Sequence, residues 1–156
     1  MLKIKHIFLL PILFLFVACG DKINQSDTLI YVSRVLDGDT FEANGQRYRI
    51  AEIDAQEISQ QFGIESKLHL QSLILHKRVS IKTESIDRYN RKIVKVYAGE
   101  NYIAESMVKN GFAWFYERYS DNSKLRNLEK SAIQNKKGLW KYNPVNPYQY
   151  RKLNKY

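Results

Sequence analysis

Cysteine is almost absent: Cys19 is the only one in 156 residues. One cysteine excludes an internal disulfide. It also excludes thiolate zinc sites, which need two or more cysteines at ligand spacing. Histidine is nearly as scarce. His6 lies in an N-terminal apolar segment, and His69 and His76 are not one helical turn apart, so no histidine metal site is completed. No internal repeat is present. Acidic residues are the minority charge, 16 Asp+Glu against 25 Lys+Arg, for a formal net charge of +9. A basic balance of this kind favours polyanionic partners such as nucleic acid, anionic lipid or acidic glycans. The hydrophobic share of 44% and aromatic share of 13% exclude wholesale disorder. The length argues for one domain with a real core.

The apolar run Ile7 to Ala18, behind Lys3 and Lys5 and broken only by Pro11, is too short to span a bilayer comfortably. It has the build of a secretory signal over residues 1–18. It ends in Phe16-Val17-Ala18-Cys19. A small residue directly before a cysteine resembles the bacterial lipobox, with Cys19 as the lipidation site and membrane anchor. Phe16 stands where that motif usually has Leu, and an ordinary signal peptide or uncleaved anchor is the alternative. The expected location is outside the cytoplasm, in the cell envelope or secreted. Without residues 1–18 the chain carries 23 Lys+Arg against 16 Asp+Glu, a net of +7, so the basic bias belongs to the domain. Residues 19–27 are polar and read as a tether.

From Thr28 onward the pattern is that of a folded domain, expected over residues 28–142. Thr28 to Leu36 predicts a strand. Thr40 to Ala43 and Gln46 to Ile53 predict a hairpin around Asn44-Gly45, the pair best suited to a two-residue type I′ turn. Residues 64–75 predict a helix, with Leu70, Leu73 and Ile74 at helical spacing. Val79 and Ile81 mark another strand, and Ile93 to Ala98 a further one. Helices are predicted over 103–110, stopped by Gly111, and over 123–135, with Leu125, Leu128 and Ile133 inward and Asp121, Asn122 or Ser123 as the cap. Residues 143–156 predict an irregular basic tail. Grouped strands argue against a parallel α/β sheet. The expected class is α+β, mainly β: a five-stranded OB-fold barrel with three helices.

Four acids fall near strand ends: Asp37, Asp39, Asp54 and Glu57. If the first strands pair, Asp39 and Asp54 meet at one end of the barrel, and converging carboxylates repel without a cation. All-oxygen ligands select a hard ion such as Ca²⁺ or Mg²⁺. The plainer reading of Asp37-Gly38 alone is a turn. Arg49 and Arg91 stand near this group in sequence. A guanidinium is a fixed cationic fork that matches phosphate oxygens, as phosphoryl chemistry requires.

These segments together resemble the thermonuclease, or staphylococcal nuclease-like, family. The resemblance rests on Val35 to Thr40, Tyr48 to Glu57, Asp87 to Arg91, Met107 to Trp114 and Lys137 to Trp140. It implies that Asp39, Asp54 and the backbone carbonyl of Ala55 hold Ca²⁺. It implies that Glu57 orients or deprotonates the attacking water, and that Arg49 and Arg91 grip the scissile phosphate. Tyr89 falls in the family's nucleotide-contacting segment. The implied reaction is hydrolysis of the 5′ P–O bond of DNA and RNA, leaving 3′-phosphate ends, by a monomer. One departure is Gln56, where the family usually has proline. Losing that φ restraint predicts retained activity with a less fixed Glu57. The competing readings are a noncatalytic OB module that holds nucleic acid or a protein at the cell surface, and a polyanion-binding adhesin with no metal dependence.

Overall fold

The computed structural model describes residues 28–154. The expected signal, Cys19 and the tether lie outside those residues. Five strands close a barrel: β1 (Thr28–Val35), β2 (Thr40–Ala43), β3 (Gln46–Ile50), β5 (Arg78–Ile86) and β6 (Lys92–Ala98). Their order is β3-β2-β1-β5-β6, and a parallel pairing of β3 with β6 completes the ring. Three short strands decorate it. β7 (Asn101–Tyr102) pairs with the end of β6, and β4 (Ile53–Asp54) pairs with β8 (Trp114–Phe115). The helices are α1 (Gly63–Ile74), α2 (Ile103–Lys109), α3 (Ser123–Gln134) and α4 (Pro147–Leu153).

The barrel follows from local chemistry. Asn44 and Gly45 take φ of 50° and 73°, the paired positive values of a type I′ turn, and set the β2–β3 register with Thr40 opposite Arg49. Val32, Val35, Phe41, Ile50, Val94 and Val96 point inward and are buried. Leu70 and Ile74 of α1, Ile103 and Met107 of α2 and Leu125 of α3 join the same core. The Asn122 side chain caps α3 by accepting from the backbone N–H groups of Lys124 and Leu125, satisfying donors a helix start leaves unpaired. After α2 the chain turns at Gly111, φ 71°. Its carbonyl accepts from Leu139 N at 2.9 Å, which brings Trp140 edge-on to Trp114, with ring centroids 4.4 Å apart.

Three expectations need correction. The segment expected as one strand from Gln46 to Ile53 breaks after Ile50. Glu52 takes a φ of 68°. Its carboxylate accepts hydrogen bonds from Tyr102 Oη at 2.6 Å, Ser120 Oγ at 2.8 Å and Asn122 Nδ2 at 3.2 Å. That network turns the chain and starts β4. In α3, Ile133 is exposed and Ala132 takes the buried position, because Ala132 lies two helical turns after the buried Leu125 and so on the same face, from which Ile133 is turned by one residue. The third concerns the C-terminus. Residues 143–156 are not simply irregular: they include α4, so the helices number four and not three among the described residues. Asn146 accepts from Tyr148 N at 2.9 Å, and Pro147 occupies the first helical position, a regular way to begin a helix.

Candidate active site

The site is built where β1 and β2 meet at one end of the barrel. Leu36 N donates to Thr40 O at 2.8 Å, closing a loop around Asp37-Gly38-Asp39. Asp39 N donates to Asp37 Oδ1 at 2.9 Å, and Thr40 Oγ1 donates to Asp39 Oδ1 at 2.8 Å. Gly38 is more than a turn residue. A Cβ there would stand 2.6 Å from that of Ala55 and would also strike Ser66 of α1. The missing side chain lets this loop press against the β4 exit.

Arg49 comes from β3, across from Thr40. Its Nη2 donates to Asp39 Oδ2 and to Asp54 Oδ1, both at 2.8 Å. Asp54 reaches this point because β4 pairs with β8, setting Asp54 opposite Trp114. Ala55 N also donates to Asp39 Oδ2, at 3.2 Å. Asp39, Arg49, Asp54 and Ala55 therefore form one cluster. The Arg49 guanidinium also lies over the Tyr116 ring, 5.8 Å from its centroid.

Burial dominates the electrostatics of this cluster. Burial, reinforced by the charge of Asp39, pushes the Asp37 carboxyl up to about 7. Burial also raises Asp54 above the ordinary carboxylate range, with Asp39 adding to the effect and Arg49 and Arg151 opposing it. Burial works against the charge on Arg49, but Asp39 and Asp54 outweigh it and raise its pKa. Carboxylates that resist ionisation when crowded are relieved by a cation.

Glu57 follows β4 by three residues. Its backbone N–H donates to Gln60 Oε1 at 2.8 Å. Its Oε1 accepts from Arg151 Nη1 of α4 at 2.7 Å. Arg151 also spans Asp54, with Nη1 to Oδ1 at 3.2 Å and Nη2 to Oδ2 at 2.9 Å. Arg151 was not expected at the site. A signal for it was present: Asn146-Pro147 is a helix-start pair, and it would have placed Arg151 on a helix. Its partners depend on the fold. Gln56 is 2% exposed. It accepts from Trp114 Nε1 at 3.2 Å and donates to Val145 O at 3.3 Å.

Tyr89 and Arg91 stand on the neighbouring turn between β5 and β6. The Asp87 carboxylate organises that turn, accepting from Tyr89 N at 2.9 Å and Arg91 N at 3.0 Å. Asp87 also holds the Arg91 guanidinium, at 2.7 Å from Nη2. Tyr89 is exposed, and the Arg91 guanidinium lies 5.5 Å from its ring centroid. Arg91 enters β6 two residues before Ile93, the partner of Arg49 across the parallel pair. Among the described residues it makes no hydrogen bond to the Asp39–Asp54 cluster. The structure thus brings Asp39, Arg49, Asp54 and Ala55 into contact and links Glu57 through Arg151. It leaves Tyr89 and Arg91 on the adjoining edge.

The donors at the centre of the cluster suit a hard divalent cation. They are all oxygen, and two carboxylate oxygens, one from the loop before β2 and one from β4, lie 2.8 Å from one nitrogen of Arg49, so they already share one positive charge. Among the described residues no three His, Cys, Asp or Glu side chains are arranged to hold a metal ion.

A barrel of this topology, with carboxylates and arginines at one end, defines a class that comparison with known proteins identifies. The model of the family described as "Staphylococcal nuclease homologue" matches residues 47–142. A protein of Haemophilus influenzae named "Uncharacterized endonuclease" is 34% identical over 157 residues, covering 97% of this chain and 88% of that protein. An "Uncharacterized endonuclease" of Escherichia coli O157:H7 is 39% identical over 126 residues, covering 77% of this chain and 82% of that one. A "Micrococcal nuclease" of Shigella flexneri is 34% identical over 140 residues, covering 80% of each. The chain belongs to the staphylococcal nuclease family.

Proposed function

We propose that this protein is a divalent-cation-dependent nuclease that hydrolyses phosphodiester bonds of DNA and RNA with little sequence preference. The observation that carries the reading is the Asp39–Arg49–Asp54 contact, a carboxylate pair and a guanidinium at one point of the barrel end. Family membership supports the nuclease activity; the metal, the substrate range and the cleavage chemistry belong to the proposal.

Asp39, Asp54 and the carbonyl of Ala55 would hold the ion, with Ca²⁺ the favoured candidate. When bound, such an ion offsets the charge that gathers on phosphate oxygens. Glu57 orients the attacking water and accepts its proton. Arg49 and Arg91 hold the non-bridging oxygens of the scissile phosphate, Arg49 from β3 and Arg91 from the turn before β6. Their charge is worth most where negative charge grows in the transition state, so their loss should lower kcat more than it raises KM. Tyr89, exposed beside Arg91, offers a ring for a nucleobase. Cleavage of the 5′ P–O bond would leave 3′-phosphate ends.

Export and lipid attachment at Cys19, with a monomeric domain at the cell envelope, complete the proposal. They are supported by the apolar run before Cys19 and by its being the only cysteine. No helix of the described residues is long and apolar enough to cross a membrane.

The deciding experiment incubates plasmid and single-stranded DNA with the full chain in Ca²⁺, in Mg²⁺ and in chelator, beside Glu57→Gln. Cation-dependent degradation lost in that variant is the expected result. Salt-sensitive binding with no cleavage under any metal would replace the nuclease by a noncatalytic nucleic-acid-binding module.

A further inference from the structure

The segment from Asn143 onward carries α4 across the site. The contacts that hold it there are few and polar. Val145 O accepts from Gln56 Nε2 at 3.3 Å and from Gln60 Nε2 at 3.1 Å. Tyr150 Oη donates to Ser59 Oγ at 3.0 Å. Arg151 adds ion pairs to Asp54 and Glu57, and the Arg118 guanidinium lies over the Tyr148 ring, 5.9 Å from its centroid. Of α4 itself only Pro147 is buried, and Leu153 is 80% exposed. An open cleft of about 410 Å³ is lined by Glu57 and Ser59 on one side and by Tyr150, Arg151 and Asn154 on the other. An element held by a few polar contacts and little buried apolar surface opens locally at low cost.

Arg151 binds both oxygens of Asp54 and one oxygen of Glu57. Those are the groups assigned above to the cation and to the water. Guanidinium N–H groups already occupy both oxygens of Asp54, Arg49 and Arg151 on Oδ1 and Arg151 alone on Oδ2, so a third cation entering at contact distance adds like-charge repulsion and must displace one of them. From this we infer that Arg151 and a divalent cation are competing occupants of the Asp54 carboxylate, which makes α4 a latch that cation binding releases. Release does two things at once. It frees the Glu57 carboxylate from the guanidinium that holds it, and it opens the cleft above the site. Gln56, unusual for its family position, then has a use: it is one of the two amides that anchor the latch at Val145.

This inference rests on the cation reading of Asp39 and Asp54, and the test separates the two. Calcium binding to the full chain in mild detergent is measured by calorimetry for the wild type, Arg151→Gln and Asp39→Asn. Amide hydrogen exchange of residues 145–154 is followed with and without saturating Ca²⁺. A latch closed in about nine molecules of ten would make Arg151→Gln bind Ca²⁺ about tenfold more tightly. Exchange of 145–154 in the wild type should quicken with Ca²⁺. Tyr150→Phe, which loosens α4 without touching a carboxylate, should shift the affinity the same way by less. Equal or weaker binding by Arg151→Gln, or exchange unchanged or slowed by Ca²⁺, overturns the latch while leaving the cation site standing. If wild type and Arg151→Gln both fail to bind Ca²⁺, the cation reading fails and the latch with it. Thermal melting of each variant shows that it is folded.

Discussion

Arg151 and Asp54, 97 residues apart in sequence, face each other through two hydrogen bonds, Nη1 to Oδ1 at 3.2 Å and Nη2 to Oδ2 at 2.9 Å. Arg49 meets the same carboxylate from the barrel side at 2.8 Å. Asp54 is therefore the hub of the site, and its two guanidinium partners play different parts. Arg49 is on a barrel strand with its side chain 12% exposed, whereas Arg151 is on a peripheral helix and 39% exposed.

Glu57→Gln keeps the side-chain shape and removes the base. Turnover should fall by about 10²–10⁴-fold, the usual contribution of a positioned acid–base group. Its half-exposed position predicts little change in melting temperature. Initial rates of DNA cleavage and a thermal melt check both halves.

Arg49→Ala leaves the carboxylates of Asp39 and Asp54, 9% and 3% exposed, without their shared partner. Breaking a buried ion pair from one side costs about 3–5 kcal/mol. Urea unfolding in chelator should show a loss of that order. Adding Ca²⁺ should recover part of it, since a bound ion supplies the missing charge and stabilises the folded state by mass action.

Asp37 should make the chelated protein less stable as pH rises. Its carboxyl titrates near 7 when folded, against an ordinary value of 3.8. The folded state therefore holds a proton that the unfolded chain has released. Stability from this group is full below about 3.8 and is lost as pH climbs through about 7. Asp37→Asn should flatten that decline, raising the melting temperature at pH 8 more than at pH 4. Melts across that range in chelator read it directly.

Gln56→Ala removes the acceptor of Trp114 Nε1 and one of two donors to Val145 O. A buried polar group left without a partner costs about 1–3 kcal/mol, and chemical denaturation should show a loss in that range. Glu57 should keep its place, because its backbone N–H is held separately by Gln60. That bond supplies a restraint that proline at position 56 would otherwise give, so activity in Gln56→Pro should change less than stability.

Much of the fold was legible because its signals are local. The Asn44-Gly45 turn, the α1 and α2 patterns and the Asn122 cap depend on residues a few positions apart, and they appear where the pattern placed them. The break after Ile50 was not legible. It is imposed by Glu52 gathering Tyr102, Ser120 and Asn122, and no local pattern announces partners 50 to 70 residues away. The inward place expected for Ile133 fell to Ala132, which shares the face of Leu125 two helical turns earlier.

The same division runs through the site. Residue types and their spacing single out Asp37, Asp39, Asp54 and Glu57 with Arg49 and Arg91 as a group suited to phosphoryl chemistry, because that chemistry demands oxygens for a hard cation and fixed positive charge for phosphate. The tertiary structure decides that Asp39 and Asp54 meet on one nitrogen of Arg49, since the loop before β2, strand β3 and strand β4 must converge for that contact. The chain's return over β4 brings Arg151 to the same carboxylate. An ion pair is governed by distance through space, and sequence separation carries no record of that distance until the strands have closed.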